Sequence, residues 1–398
     1  MTIDLVTVAE QNYPQVLDLL EICFPNDVRE YFDRHHRRDP AHSFSQARAL
    51  SANGKIIAHV QVFHREMGYA ADTIPYGGIS DVATHPDWQR RGLSAKLLDE
   101  SIRYMHSTAL PLSMLSTGRH AHYARHGWVQ IPQSVLYADL PADLPREPGG
   151  FIVRPFEPDD LNPLHHQYRR GIANLAGPEA RSLPYMAAQM DWLPLHQADV
   201  RWEVYARVGH PAGYLRTRPR GDELHVLDLS AGTDDLERLA ISRIFRHAAD
   251  AGCTHVSVPV VSTSRFARTF AETVSAENLA WPHRMLRLNS LRRLLQCIQP
   301  TLSRRLRDPV TRSPFALKVG DETVRVEAPG GGVRFSTATT TGDEPLVEFT
   351  PEAFLNLLMG QPDSHRLLVP TGANLQPTAS LQLMFPQSGN LTWPADEF

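Results

Sequence analysis

Two features of this 398-residue chain carry residue types that could do chemistry. The first is Gln89-Arg90-Arg91-Gly92-Leu93-Ser94, a basic loop with one glycine between a strand-like run and an amphipathic helix pattern. Such a loop turns unpaired backbone N–H groups outward at a helix N-terminus, where the helix dipole adds partial positive charge. Gly92 would let the backbone approach an anion without a Cβ in the way, and arginine matches phosphate geometry. The six residues fit a diphosphate cradle; a basic turn before a surface helix fits them too. The second feature is the run Trp393-Pro394-Ala395-Asp396-Glu397-Phe398. Chain ends ordinarily fray, so a bulky apolar last residue is expected to dock and to hold its α-carboxylate in place. Alternatively, Phe398 plugs an apolar groove and leaves that carboxylate in water.

The elements around the basic loop read as strand, loop and helix. Gly77 to Thr84 leads in, His85-Pro86 breaks the run, and Leu93, Leu97, Leu98, Ile102 and Met105 form one apolar stripe. Upstream, Glu10 to Cys23 has helical spacing, and Asn53-Gly54 between two apolar runs signals a tight hairpin. Downstream come a short strand at Pro111 to Leu115 and a short helix at Arg119 to His126 that contains Tyr123. Three prolines between Pro141 and Pro148, followed by Gly149-Gly150, mark a linker.

Past the linker the order of elements repeats. Ile152 to Phe156 is strand-like, Trp202 to Val208 and Tyr214-Leu215 flank a turn expected at His210 to Gly213, and Leu224 to Leu229 precedes a helix after Gly232. No basic glycine loop occurs in this second copy, so it reads as a duplicated domain without the cradle. From about Met285 the pattern changes to alternating strands, Phe315 to Val319, Val324 to Val326 and Val333 to Ser336. A single helix is expected here, over Pro351 to Met359. The fold class is α/β (α+β) with three domains, 1–145, 146–285 and 286–398.

Composition narrows the function classes. Hydrophobic residues are 42% and charged residues 21% of the chain, as in ordinary globular proteins. A formal net charge of -4 argues against nucleic acid or an anionic membrane as partner. Three scattered cysteines, Cys23, Cys253 and Cys297, point to a reducing compartment and small core residues, without a disulfide framework. The 19 histidines show no metal-ligand spacing, so no metal is expected. The run Arg34-His35-His36-Arg37-Arg38 reads as a solvated helix face. The start Met1-Thr2-Ile3-Asp4 lacks a signal-peptide pattern and no stretch approaches a membrane span, so a cytoplasmic location is expected.

The pattern Gln-x-x-Gly-x-Ser at 89–94 resembles motif A of the GCN5-related N-acetyltransferases (GNAT), usually Gln/Arg-x-x-Gly-x-Gly/Ala. Ser94 departs from that last position but is still small. In domain order the whole chain resembles the Eis (enhanced intracellular survival) branch, which joins two GNAT-type domains to a domain similar to sterol carrier proteins. The resemblance implies tandem GNAT folds with mixed central sheets, a sterol-carrier-like C-terminal domain and a homo-hexamer. It implies acetyl-CoA as co-substrate, its pantetheine arm along Val82, Ala83 and Thr84 and its pyrophosphate on Gln89, Arg90, Arg91, Gly92, Leu93 and Ser94. Tyr123 matches the family's general acid and the Phe398 carboxylate its base. Asp27 and Glu397 fall on the substrate side, with Asp396 and Glu30 adding negative charge. The acceptor would be a cationic small-molecule amine: an aminoglycoside, a polyamine or a lysine-like group.

The chemistry supports the acid better than the base. A phenol titrates near 10 and a thiol near about 8.5, so tyrosine can protonate a departing thiolate. A backbone N–H near Val82 would meet the oxyanion. An α-carboxylate near about 3.5 is roughly 6 units, or about 9 kcal/mol, from taking a proton off an alkylammonium directly. Its surer role is to attract and orient a cation. On residue type alone Tyr123 is better read as a core tyrosine with its hydroxyl at the surface. A non-catalytic lipid- or small-molecule-binding protein on the same scaffold is the competing reading.

Overall fold

The computed structural model describes residues 2–196, 199–281, 283–306, 314–329, 332–337, 344–361 and 376–396. The chain opens with β1 (Ile3–Thr7), α1 (Tyr13–Cys23) and α2 (Arg29–Arg38), then the strands β2 (Arg48–Ala52), β3 (Lys55–Tyr69) and β4 (Asp72–Thr84). α3 (Leu93–Ser107), β5 (Leu112–Ser116), α4 (His120–Ala124), β6 (Val129–Gln130) and β7 (Gln133–Asp139) follow. Beyond the linker lie β8 (Ile152–Pro155), α5 (Leu161–Ile172), β9 (Ala176–Glu179), α6 (Leu183–His196), β10 (Arg201–Arg207), β11 (His210–Arg220) and β12 (Glu223–Ala231). Then come α7 (Asp234–Asp250), β13 (His255–Val260), α8 (Arg265–Thr273), β14 (Glu277–Trp281) and β15 (Arg284–Leu288). The last part holds α9 (Leu291–Cys297), α10 (Gln299–Arg305), β16 (Phe315–Val319), β17 (Glu322–Glu327), β18 (Arg334–Thr337), β19 (Leu346–Phe349), α11 (Pro351–Leu358) and α12 (Gln376–Met384).

Two of the three sheets are built to one plan. The first runs β1-β2-β3-β4-β5-β15-β6, with β9 added on β3, and the second runs β8-β10-β11-β12-β13-β7-β14. In both, the first four strands are antiparallel, the next pair (β4–β5, β12–β13) is parallel, and the last two pairings are antiparallel. The sixth place in each sheet is filled by a strand from the other half. β7, on the N-terminal side of the linker, lies between β13 and β14, and β15 lies between β5 and β6. Sheet membership therefore does not follow the chain divisions at 145 and 285. The third sheet, β18-β17-β16-β19, is antiparallel except for the β16–β19 pair.

Local chemistry explains most of these elements. Asn53 (φ 51) and Gly54 (φ 75) make the tight turn between β2 and β3. In the second sheet the turn sits at Val208-Gly209 (φ 51 and 80), not at His210 to Gly213, because His210 already pairs with Arg207. The α3 stripe buries Leu93, Leu97, Leu98 and Met105 against Val60, Val62 and Trp128. Each such side chain contributes about 1.5–3 kcal/mol by leaving water. A Cβ on Gly77 would collide with Met105 Sδ, so glycine there lets α3 sit close on β4. The last part has four helices among the described residues where the sequence pattern announced one. The extra three are short or closely spaced, too brief to show a 3.6-residue period.

Candidate active site

The parallel pair β4–β5 is laddered only at Tyr76–Gly78 against Leu112–Met114. Beyond that point the strands part, and Ile79 to Thr84 and Leu115-Ser116 face each other across a cleft of about 1210 Å³. β4 also bulges here: its pairing with β3 shifts between His59 and Gln61, and Asp81 takes a left-handed φ of 48°. Val82, Ala83 and Thr84, just past this bulge, line the cleft. Ala83 itself is buried.

The basic loop closes one end of the cleft. Gly92, at φ 72°, is the residue before α3, and the helix starts with no side-chain cap and no acidic residue in its first turn. Its first N–H groups are left for a ligand, as an anion site requires. Gln89, Arg90, Gly92, Leu93 and Ser94 line the cleft. Gln89 Nε2 donates to the Thr84 carbonyl at 3.3 Å, tying the loop to the strand. Arg91 does not line the cleft: its guanidinium stacks 4.8 Å over the Trp88 ring and donates to the Asp87 carbonyl. The corresponding helix of the second sheet contrasts sharply. Thr233 caps α7 by accepting from Leu236 N–H at 3.4 Å, and Asp234, Asp235 and Glu237 fill its first turn. That helix start is already satisfied and would repel an anion.

Tyr123, on α4, lines the same cleft. Its ring stands edge-on to Trp128 (6.2 Å) and His122 (5.0 Å). Burial pushes its phenol up, with Arg119 opposing, so it carries its proton at neutral pH. His122 Nε2 lies 3.3 Å from Ser94 Oγ, joining α4 to the start of α3. Burial, helped by His126, Arg125 and Arg119, lowers the His122 ring.

The other arm of the cleft is made by Ile22, Cys23, Phe24, Asp27, Tyr31, Phe32, Ser80, Asp81 and His196. Asp27 pairs with His196 Nδ1 at 2.5 Å, and His196 stacks on Tyr31 at 4.6 Å. Cys23 Sγ donates to the Thr84 carbonyl at 3.4 Å, and burial pushes its thiol up. Glu30 is exposed and pairs with Arg34, away from this arm.

Behind the arm, the run Arg34 to Arg38 is not a solvated face. His35 and His36 are buried on the inner side of α2 while Arg34, Arg37 and Arg38 are spent on carboxylates outside. His36 Nε2 donates to Asp81 Oδ2 at 2.7 Å, and its Nδ1 accepts from the Tyr13 hydroxyl at 3.0 Å. His59 Nδ1 donates to the Asp81 carbonyl at 3.0 Å. His35 stacks 4.9 Å from Phe63 and neighbours Asp39, which Arg65 holds at 2.8 Å. Burial lowers His59 to about 4 and His42 to about 3, so both rings are neutral. Among the described residues no three His, Cys, Asp or Glu side chains form a metal-holding group.

The C-terminal segment runs back to the cleft. Asp396 is buried and takes both of its oxygens to Arg181, at 2.6 and 2.8 Å, and Arg181 also pairs with the buried Asp228. Asp396 and Thr392 line a small hollow with Ser116, Trp281 and His283, residues shared or contiguous with the cleft wall. Asp396 is thus an anchor and not free negative charge. The expectations for Glu397 and Phe398 lie outside the described residues. Asp81 is the cleft residue that sequence reading missed; a lone aspartate inside an apolar strand was its only signal.

Residues 4–131 match the family model described as the acetyltransferase (GNAT) domain. Over the full length the fold is that of several crystal structures. They include a GCN5-related N-acetyltransferase from Anabaena variabilis (TM-score 0.75, 15% identity, 100% of each chain covered). A protein from Enterococcus faecalis described as a probable N-acyltransferase is similar (TM-score 0.75, 14% identity, 100% of each chain). So is Eis1 from Mycobacterium abscessus (TM-score 0.68, 14% identity, 100% of each chain). Residues 4–131 thus carry a GNAT acetyltransferase domain, and over its full length the chain shares the fold of these structures. Among the described residues no helix is long and apolar enough to cross a membrane.

Proposed function

We propose that the enzyme transfers an acetyl group from acetyl-CoA to a primary amine of a cationic small molecule, an aminoglycoside, polyamine or lysine-like group. The observation that carries this reading is the meeting in one cleft of an uncapped α3 start, the parted β4–β5 edge and a proton-bearing Tyr123. The diphosphate would rest on Gln89, Arg90, Gly92, Leu93 and Ser94, and the pantetheine arm would pair with the edge at Val82, Ala83 and Thr84. The amine attacks the thioester carbonyl, the carbonyl oxygen gains charge and is met by the Val82 N–H, and Tyr123 protonates the sulfur as it leaves.

The Phe398 carboxylate serves as base or, more readily, as an orienter of the cation, with Glu397 and Asp27 on the same side. Support comes from the buried anchoring of Asp396, two residues before it. We read the second sheet as a GNAT-type copy without a cradle, supported by its matching strand order and its acidic α7 start. The third sheet is read as a sterol-carrier-like domain and the assembly as a hexamer, which sedimentation would test. Titration with acetyl-CoA, followed by CoA release with a panel of amines, tests the activity. No acetyl-CoA binding, or no release with any amine, would overturn it.

A further inference from the structure

We propose that Asp81 is the residue by which the cleft recognises its acceptor, receiving an ammonium group at the mouth of the β4–β5 wedge. This deepens the acetyltransfer reading and rests on it. Asp81 sits one position before Val82, on the bulge where β4 leaves its register with β3. Its left-handed φ of 48° is costly for a residue other than glycine, and such strain persists only where the surroundings impose it. The surroundings are specific. His36 donates to Oδ2 at 2.7 Å, Ser80 Oγ donates to Oδ1 at 3.1 Å, and His59 holds the backbone carbonyl. Tyr13 in turn fixes His36, so the orientation of the carboxylate is set from behind, deep in the core.

A carboxylate has about four lone-pair sites. Two are used on the protein side, and the side chain keeps 10% exposure, toward the cleft that it lines. Among the described residues no lysine or arginine pairs with it; like Asp27 in the same arm, which faces His196, its ion-pair partner is a histidine. Burial, the largest single influence, pushes the Asp81 carboxyl up, but the hydrogen bond from His36 and the electrostatic pull of His36, His59 and His35 together outweigh it and hold the group at about 2, so it is charged. Three aromatic residues, Phe24, Tyr31 and Phe32, are among those that line the same arm, and aromatic rings attract cations. A fixed anion with unused acceptor capacity, in an aromatic recess beside the parted strand edge, selects an ammonium group and rejects carboxylated or neutral amines.

The test is calorimetric binding of spermidine, a lysine peptide, an aminoglycoside and a neutral arylamine, with and without CoA, to the unaltered protein and to Asp81→Asn. Acetyl-CoA affinity is titrated separately, so a failure at the cofactor end is distinguishable from a failure at Asp81. The expected result is at least tenfold weaker binding of the ammonium compounds, with acetyl-CoA and arylamine affinity changed less than twofold. Asp81→Glu should recover part of the loss. His36→Gln should weaken the same compounds in the same order, which covers the case in which Asp81→Asn does not fold. Unchanged ammonium binding, an equal loss for the arylamine, or no ammonium binding to the unaltered protein would overturn the inference.

Discussion

Gln133 and Thr392, 259 positions apart, exchange two hydrogen bonds: Gln133 Nε2 donates to the Thr392 carbonyl at 2.9 Å, and Thr392 N–H donates to Gln133 Oε1 at 2.7 Å. Gln133 begins the strand that the first half lends to the second sheet, so the C-terminal segment is fastened at the exchange itself. Four residues later Asp396 grips Arg181. Replacing Asp396 by Asn should lower turnover by loosening this segment, while acetyl-CoA affinity stays nearly unchanged. Adding one residue after Phe398 should do the same. A parallel fall in cofactor affinity, seen by calorimetry, would contradict the assignment.

Arg181 is fully buried between Asp396 and Asp228 and lies 4.2 Å over the Tyr168 ring. Arg181→Met removes the cation and strands two buried carboxylates. A loss of about 3–5 kcal/mol in unfolding free energy is expected by denaturant titration.

Arg90 and Arg91 are neighbours with different duties. Arg90→Ala should weaken acetyl-CoA binding several-fold, because Arg90 lines the cleft. Arg91→Ala should leave it nearly intact, because Arg91 is stacked on Trp88. Titration of both variants checks the split.

Tyr123→Phe should cut kcat by roughly a hundredfold or more, with little change in melting temperature, if the phenol is the general acid. Because burial raises this phenol, its protonated form persists above the usual 10. The alkaline fall in rate that tracks its ionisation is therefore expected above pH 10, and Tyr123→Phe should abolish that limb.

Glu179, on β9, accepts from the Tyr76 hydroxyl at 2.5 Å and is pushed from 4.5 up to about 7, chiefly by burial. A carboxyl raised in the folded state binds its proton more tightly there than in the unfolded chain. Its contribution to stability is complete below about pH 4.5 and is lost as pH climbs to about 7, by about 3 kcal/mol. Glu179→Gln should flatten that part of the stability profile; an unaltered slope in paired denaturation curves would refute it.

What could be read in advance was whatever depends on local spacing. The Asn53-Gly54 turn, the α3 stripe and the basic loop are set by neighbours within a few residues. The exchange of β7 and β15 is not, because Gln133–Asp139 and Arg284–Leu288 alternate in the same way whichever sheet they complete. The inward face of His35 and His36 is hidden in the sequence by the charged pairs that flank it, Asp33-Arg34 and Arg37-Arg38, and only Asp81 and Phe63, far along the chain, make it favourable. Asp81 escaped notice for a related reason: its role depends on a bulge, and a bulge leaves little mark in residue type.

The traded strands have a bearing on how this enzyme could be dissected. Severing the gene at the proline-rich linker would give two products, each missing the sixth rung of its own sheet and each carrying an orphan ribbon that belongs elsewhere. Open ladders of that kind expose rows of amides and invite aggregation. The part beyond the linker therefore completes the sheet that walls the cleft, and a fragment ending at residue 145 should not be recoverable in native form.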